Sequence, residues 1–234
     1  MWRTFGYTTN GIVKSQAILD AHPYLTNEEN ERPIGLGDIW FVDVNGRDAA
    51  GKLTGKPDGK IDADDRGFIG KKYPDFTYGL SGSVTYKRWS LQVVTYGVQG
   101  VDVYSQIDGQ GYFMFTSNEN TRVLDRWEAT KNPNGNMPRV TKDDRAGNSE
   151  RVSSFWLSDA SYLKISNINL KYAIPDNLCQ RLRMKNLEVY GSVENLHTFT
   201  KYPAGEVDVN DQMMEPAKKI PQPRTWILGV NVTF

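Results

Sequence analysis

The chain has 234 residues with 28 basic and 28 acidic side chains, so its formal net charge at pH 7 is zero. Without net positive charge there is no overall field to attract nucleic acid, and we expect no nucleic-acid partner. The single cysteine, Cys179, excludes an intrachain disulfide framework, and two histidines are too few for a multi-histidine metal centre. No apolar run approaches the roughly 20 residues of a membrane-spanning helix. These counts leave a soluble β-rich domain or part of a membrane β-barrel.

An acidic, glycine-containing stretch in the first third of the chain resembles a cation-binding loop. When 43–46 is joined to 58–65, the pattern becomes D-x-N-G-D-G-x-I-D-x-x-D. Oxygen donors at this spacing, with glycine at the sharp turn, match an EF-hand calcium loop. The insertion 47–57 splits the loop, and an aspartate replaces its usual last glutamate, so a metal-free Asp/Gly turn is the alternative. The predicted Ca²⁺ ligands are Asp43, Asn45, Asp58, the Lys60 carbonyl, Asp62 and Asp65.

Five later segments alternate apolar and polar residues with a period of two, which is typical of strands with one apolar face. The first two are joined by the two-residue turn Lys87-Arg88, which predicts a hairpin. The alternation breaks at 162–165, which predicts a bulge. The predicted strands are 75–86, 89–99, 161–172, 186–196 and 224–234.

The connections between these strands are short at one end and long at the other. Turn-forming residues fill 100–155 and 198–223, which we interpret as long loops. This asymmetry is typical of outer-membrane barrels, and ten tilted strand residues span roughly 23 Å of bilayer. We predict an extracellular loop region over 1–74 and barrel strands with their loops over 75–234. The alternative is a soluble sandwich in which the apolar faces of 76–86 and 224–234 pack together and calcium-stabilised loops bind carbohydrate.

A series of short motifs is more specific than the alternation. In their order, these motifs resemble the C-terminal region of SusC/RagA-type TonB-dependent outer-membrane transporters. They are FGY (5–7), NGI (10–12), GDIWFVDVNG (37–46), DGKID (58–62), PDFTYG (74–79), GVQGVDVY (97–104), LDRW (124–127), DASYLKI (159–165), NLHTFT (195–200) and PQPRT (221–225).

The resemblance implies a fold and a function. The fold is all-β: antiparallel up-and-down strands that form the C-terminal portion of a 22-stranded transmembrane barrel with long extracellular loops. Such transporters import oligosaccharides or peptides across a Bacteroidota-type outer membrane, energised by the TonB complex and capped by a SusD-like surface lipoprotein. The resemblance also implies that Phe234 is an assembly signal. We expect the chain to be a fragment or truncated product, because the plug and the TonB-contacting segment are absent from it.

Aromatic residues in the predicted loops are candidates for substrate contact, because they can stack on sugar rings or cover a peptide side chain. The alternative is that they pack the loops together. We predict no enzyme, since neither a nucleophile-elbow motif nor a phosphate-binding loop occurs. The predicted substrate contacts are Tyr104, Trp127, Phe155 and Trp156, with Tyr112, Phe113 and Phe115 as further loop aromatics.

Overall fold

The structure is a computed structural model that describes residues 3–21, 24–26, 31–32, 34–104, 121–141, 144–202, 207 and 222–234. The strands are β1 (Arg3–Tyr7), β2 (Thr9–Ile12), β3 (Tyr24–Thr26), β4 (Glu31–Arg32), β5 (Ile39–Phe41), β6 (Lys60–Ile61), β7 (Arg66–Lys71), β8 (Phe76–Tyr86), β9 (Trp89–Gln99), β10 (Asp102–Tyr104), β11 (Leu157–Asp159), β12 (Tyr162–Ala173), β13 (Asn186–Thr200) and β14 (Thr225–Thr233). The helices are α1 (Gln16–Asp20) and α2 (Asp176–Arg181), with short 3₁₀ turns at Ala63–Asp65, Thr121–Asp125 and Ser154–Trp156.

The chain divides into two compact units that are each formed by two separate segments. The first unit contains 1–72 and 103–158, and the second contains 73–102 and 159–234. We predicted two consecutive regions that meet near residue 74. This functional division stays a prediction. In the structure 103–158 clusters with 1–72, to whose core it contributes Met137, Ala146 and Trp156. The extracellular position of the first region stays a prediction.

The second unit is a five-stranded sheet in the order β14-β13-β12-β9-β8, with every pair antiparallel. The five predicted strands and the antiparallel all-β class are therefore confirmed. The 22-stranded closed barrel stays a prediction, since β8 and β14 each have one neighbour among the described strands. The predicted strand at 186–196 is longer in the structure, because β13 continues to Thr200.

Two local features set the register of this sheet. Lys87 in the β8–β9 turn has a φ of 55°, in the left-handed region that matches the twist of a two-residue hairpin. The pairing of β12 with both neighbours shifts between Ile165 and Asn167, which confirms the predicted bulge. Because the bulge absorbs one residue, Ile165 and Ile168 lie on the same side of the sheet although they are three residues apart.

The first unit has short strands around a small apolar core. β1 pairs with β7, β2 pairs with β5, and β3 lies between β4 and β6. Strands this short supply only a few core positions each, so loop residues complete the core. Its buried members are Ile39, Phe41, Ile61, Met137, Ala146 and Trp156.

A buried ion pair joins the two segments of the first unit. Asp38, which is 1% exposed, accepts two hydrogen bonds of 2.8 Å from the Arg139 guanidinium. Its carboxylate also accepts hydrogen bonds from the Asn148 side chain and from the Gly35 backbone N–H. Since a buried charge is costly unless it is paired and hydrogen-bonded, these four donors are what allow an aspartate at this position.

Within the described ranges, no helix has both the length and the apolar character needed to cross a membrane.

Replacing Asp38 by alanine should destabilise the first unit by about 2–4 kcal/mol, because Arg139 and Asn148 lose their acceptor inside the fold. The free energy of unfolding can be measured in denaturant by tryptophan fluorescence, which the buried Trp127 and Trp156 provide. Asp20→Ala, on the exposed end of α1, serves as the control and should change it by less than about 0.5 kcal/mol. Equal stability of the two variants would contradict the role given to Asp38.

Candidate functional site

One side of the five-stranded sheet is apolar along every strand, and we call it the outer face. Directly opposed residues of an antiparallel pair point to the same side, so the register assigns them. Val84 pairs with Leu91, and Leu91 pairs with Leu170. Its apolar members are Phe76, Tyr78, Leu80, Val84 and Tyr86 of β8; Trp89, Leu91 and Val93 of β9; Leu163, Ile165, Ile168, Leu170 and Tyr172 of β12; Leu187, Val189, Val193 and Phe199 of β13; and Trp226, Leu228, Val230 and Val232 of β14.

The outer face is uncovered within the second unit. Leu228 is 89% exposed, and Leu80 and Trp226 are each 70% exposed. A large apolar side chain gains about 1.5–3 kcal/mol when it is removed from water, so a continuous exposed face of this size indicates a partner surface. The sandwich alternative requires β8 and β14 to pack their apolar faces together. Instead β8 and β14 are the two edge strands of one sheet, and their apolar faces are exposed.

Aromatic side chains lie at both ends of the outer face. Phe76, Tyr78 and Phe199 are near the end with the long connections. Trp89 and Tyr172 are at the end with the short connections, where their ring centroids are 4.6 Å apart. Aromatic rings at both ends of an apolar band are typical of strands that cross a bilayer, because the rings prefer the two membrane interfaces.

The opposite side of the sheet is polar. Ser83, Gln92, Asn169 and Ser192 are successive partners across four strands at about the same height. The Asn167 amide donates a 3.0 Å hydrogen bond to the Ser192 hydroxyl, which links two of these strands. A polar side of this kind is suited to water or to other polar protein surface, whereas the outer face is not.

The residues of the split Asp/Gly loop come together in the first unit. The Asp43 carboxylate accepts hydrogen bonds from the backbone N–H of Asp58 at 3.1 Å and of Gly59 at 2.6 Å. Asn45 Oδ1 accepts one from the Gly55 N–H, which closes the insertion on itself. Gly46 is required for this closure, because a Cβ there would collide with the Asp58 side chain. The insertion 47–57 therefore loops out and leaves the two halves of the motif adjacent.

Asp65 closes the far end of the same loop. Its carboxylate, 1% exposed, accepts hydrogen bonds from the backbone N–H groups of Val44, Asn45 and Asp62. Burial raises the pKa of the Asp65 carboxyl above its usual value, with the nearby Asp43 adding to the increase, while the backbone donors oppose it. Since the folded-state pKa is raised, ionisation of Asp65 costs stability as the pH rises through that pKa.

The loop meets some of the requirements of a cation site and not others. Its donors are the oxygens that Ca²⁺ prefers, and Gly59 has the positive φ of 88° that a sharp turn needs. In the described part of the chain, however, no three acidic, histidine or cysteine side chains are grouped so as to hold a metal ion. Asp43 and Asp65 direct their carboxylates to backbone N–H groups instead. Calcium binding stays a prediction.

The predicted substrate-contacting aromatics lie within the first unit. Trp156 and Trp127 are buried, and Phe155 and Tyr104 pack against the core with part of their surface exposed. The Trp156 indole donates a 2.8 Å hydrogen bond to the Asn148 carbonyl, which fixes the ring inside. This packing explains why all four are aromatic, and substrate contact by them stays a prediction. Tyr112, Phe113 and Phe115 lie outside the described residues.

Two further residues from the sequence have clear positions. Phe234 follows β14 and is 74% exposed, in line with the alternation of the outer face. Its role as an assembly signal stays a prediction. Cys179 is buried in α2, where its thiol lies 3.7 Å from the Ile174 carbonyl oxygen.

No pattern in the sequence indicates the network around Asp38. Its partners Arg139 and Asn148 are 101 and 110 residues away, in a segment interpreted as loop. Asp144 continues the network by accepting hydrogen bonds from the Asn148 and Ser149 side chains. The aspartate within GDIW of the motif 37–46, directly before apolar residues, is the one signal that could have suggested a paired charge.

Comparison with known proteins agrees with this geometry, although no family model matches the chain. It is 27% identical to TonB-dependent receptor P3 of Formosa agariphila, in an alignment that covers 98% of this chain and 22% of that protein. It is 24% identical to TonB-dependent receptor SusC of Bacteroides thetaiotaomicron, over 98% of this chain and 20% of that protein. The chain thus spans about a fifth of the length of these curated relatives.

A solved structure of the RagAB peptide importer in its closed-closed state has the same fold. The TM-score is 0.69 with 20% sequence identity, over 99% of this chain and 23% of that chain. The predicted resemblance to SusC/RagA-type TonB-dependent receptors is therefore confirmed by sequence and by fold. The relatives are receptors and an importer, consistent with the expectation that the chain is not an enzyme.

Gly46→Ala should destabilise the first unit by about 1–3 kcal/mol, because the added methyl group collides with Asp58 where the two halves of the loop meet. The measurement is the free energy of unfolding in denaturant. Gly67→Ala is the matched control, since a Cβ at Gly67 in β7 meets open space. If both substitutions left stability unchanged, the closed loop would not exist in solution.

Proposed function

We propose that this chain supplies membrane-spanning strands and loops of a SusC/RagA-type TonB-dependent transporter in a bacterial outer membrane. The observation that carries the proposal is the uncovered outer face, in a chain that aligns with such a receptor over 98% of its length. Acyl chains are the partner surface that matches an apolar band bounded by aromatic rings. The polar side then faces the barrel interior.

The edge strands of the sheet, β8 and β14, indicate how the barrel is completed. β8 and β14 each present one row of backbone N–H and C=O groups that no described strand pairs. In hydrocarbon each unpaired group costs several kcal/mol, so an open sheet is not stable there. We infer that both strands pair with strands outside this chain and that the closed barrel, not this segment alone, forms the transport path.

The remaining functional assignments follow from the relatives. The RagAB structure is that of a peptide importer, and the curated relatives are TonB-dependent receptors. We propose that the complete transporter imports peptide or glycan oligomers, with energy from the TonB complex and with a SusD-like lipoprotein as its surface partner. Relatives from Formosa and Bacteroides support a Bacteroidota-type outer membrane. In this setting Phe234 serves as the assembly signal.

We further propose that the Asp/Gly loop binds Ca²⁺. The two halves of the motif are adjacent in the structure, and the order of oxygen donors along them is that of an EF-hand loop. Asp43, Asn45, Asp58, the Lys60 carbonyl, Asp62 and Asp65 would hold the ion. The ion would neutralise several carboxylates at once, which would stabilise the loop and favour the ionised form of Asp65.

The membrane assignment is tested with two neighbouring residues on opposite sides of β8. Leu80→Lys places a charge on the outer face near mid-strand, where it should cost about 2–4 kcal/mol of membrane stability. Ser81→Lys places the same charge on the polar side and should cost little. In cells expressing the complete transporter, we expect Leu80→Lys to lower its level in the outer membrane and the uptake of substrate, while Ser81→Lys retains both.

The opposite ranking, or equal effects of the two substitutions, would contradict the assignment of the faces. Uptake by the unaltered transporter should also stop when the TonB system is inactivated. Continued uptake would rule out TonB-driven import while leaving the assignment of the faces intact.

The calcium proposal is tested by calorimetry and by thermal unfolding of the chain. We expect heat of Ca²⁺ binding with a dissociation constant on the order of 10⁻⁴–10⁻³ M, as in extracellular calcium modules, and a higher Tm with Ca²⁺. Asp62→Asn removes a predicted ligand charge but keeps the oxygen that accepts the Asp64 N–H, and it should weaken binding. Asp64→Asn is the matched control, since Asp64 pairs with Arg47 and is not a predicted ligand.

A chain that shows no binding heat at millimolar Ca²⁺ and no change in Tm would refute the calcium proposal. Equal weakening by Asp62→Asn and Asp64→Asn would show that general acidity, and not the predicted ligand set, attracts the ion.

A further inference from the structure

The short-connection end of the five-stranded sheet carries a concentration of positive charge. Two connections lie there: the β8–β9 turn and the β12–β13 segment 174–185. Together they contain five basic residues and one acidic residue, Asp176. All of the basic residues are exposed except one, which is half-buried. We call these five residues the basic rim: Lys87, Arg88, Arg181, Arg183 and Lys185.

Hydrogen bonds connect the segments that carry the basic rim at the short-connection end of the sheet. The Arg88 guanidinium donates a 3.0 Å hydrogen bond to the Ile174 carbonyl, which joins the two connections. The Lys185 backbone N–H donates a 2.7 Å hydrogen bond to the Thr233 carbonyl, which joins the second connection to β14. The five basic residues are therefore distributed across the short-connection end of the sheet, from β8 to β14.

The opposite end of the sheet has a different charge balance. Among the described residues of the second unit that flank the strands there, the charged ones are Asp75, Asp102, Asp159, Lys201 and Arg224. Three acidic and two basic groups give no excess of positive charge. The two ends of the same outer face therefore differ in the surface that each can attract.

Apolar side chains accompany the basic rim. Leu178 and Leu182 lie one turn apart at α2 and are 45% and 55% exposed, whereas Cys179 between them is buried. Tyr86 and Trp89 of the outer face are exposed at the same end of the sheet, and the Lys87 ammonium lies 5.3 Å from the centre of the Tyr86 ring. Basic residues alternating with exposed leucines and aromatic rings are the composition of a segment that lies at a membrane interface.

We propose that the basic rim is a docking surface for the headgroups of anionic phospholipids in the leaflet at the short-connection end. This inference rests on the proposed membrane position of the outer face. Leu178 and Leu182 enter the boundary between headgroups and acyl chains. Arg88 already pairs with Asp176 at 3.9 Å, so the other four cations of the basic rim contact the lipid phosphates. Charge complementarity favours anionic phospholipid as the partner. An apolar contact alone would not require five basic residues at this end of the sheet and no excess of positive charge at the other end.

The test compares binding of the full chain, folded in mild detergent, to two kinds of preformed vesicle by flotation. One is phosphatidylcholine alone and the other is a mixture of phosphatidylcholine with phosphatidylglycerol. We expect tighter binding to the anionic vesicles, and this preference should decrease with salt. The triple variant Arg181→Gln/Arg183→Gln/Lys185→Gln should bind the anionic vesicles about 100-fold more weakly, from about 1 kcal/mol per basic residue at such a surface.

Two matched variants separate charge at the rim from other effects. Lys52→Gln/Lys56→Gln/Lys131→Gln removes three exposed lysines of the first unit and should keep the preference for anionic vesicles. Arg181→Lys/Arg183→Lys/Lys185→Arg keeps the rim charge and should also retain it. Circular dichroism confirms that each variant has the same strand content.

The outcomes distinguish this proposal from the one on which it rests. Equal binding of the chain to both vesicles would overturn the headgroup proposal alone. Loss of preference in the variant that keeps the charge would also overturn it, because charge would not be the cause. Failure to bind either vesicle would also overturn the headgroup proposal, whereas the membrane position of the outer face is decided separately by the Leu80→Lys and Ser81→Lys pair in the complete transporter.

Discussion

The structure of the second unit depends on one constraint: backbone polar groups must be paired wherever apolar side chains exclude water. The antiparallel ladders from β8 to β14 pair the inner strands except at the bulge between Ile165 and Asn167. Only because these groups are paired can the sheet present a continuous apolar side to a hydrocarbon environment. The same constraint makes the edge strands β8 and β14 incomplete by themselves, so the proposed membrane location and the proposed larger barrel rest on one requirement.

The first unit solves a different problem. Its strands are too short to form an extended apolar face, and its stability comes from a small core, the buried Asp38–Arg139 pair and the closed Asp/Gly loop. Each of these joins residues that are far apart in the chain. An insertion can therefore be accommodated, as 47–57 is, provided that the groups on either side of it still meet.

More of the second unit than of the first could be predicted from the sequence, and the reason is physical. Strands β8, β9, β12, β13 and β14 were predictable because a sheet with one apolar side imposes a period of two over about ten residues. Even the bulge before Asn167 left a visible break in that period. The core of the first unit has no such signal, since Met137, Ala146 and Trp156 come from irregular segments. The Asp43 and Asp65 carboxylates were correctly placed in one loop, but their backbone partners could not be read from residue types.

The bulge in β12 has a consequence for how such a sheet tolerates change. Long connections can gain or lose residues without changing the sheet. Within β12, the pairing with its neighbours fixes which residues on either side of the bulge lie on each side of the sheet. Deleting Ser166 would remove the bulge and leave an ordinary alternating strand, in which Ile165 and Ile168 still lie on the outer face and Lys164 on the polar side. Loss of any other single residue of β12, with the bulge kept, would exchange the two sides of the sheet for every residue on one side of the change. The bulge is therefore the position in this strand at which one residue can be lost without turning polar side chains to the outer face.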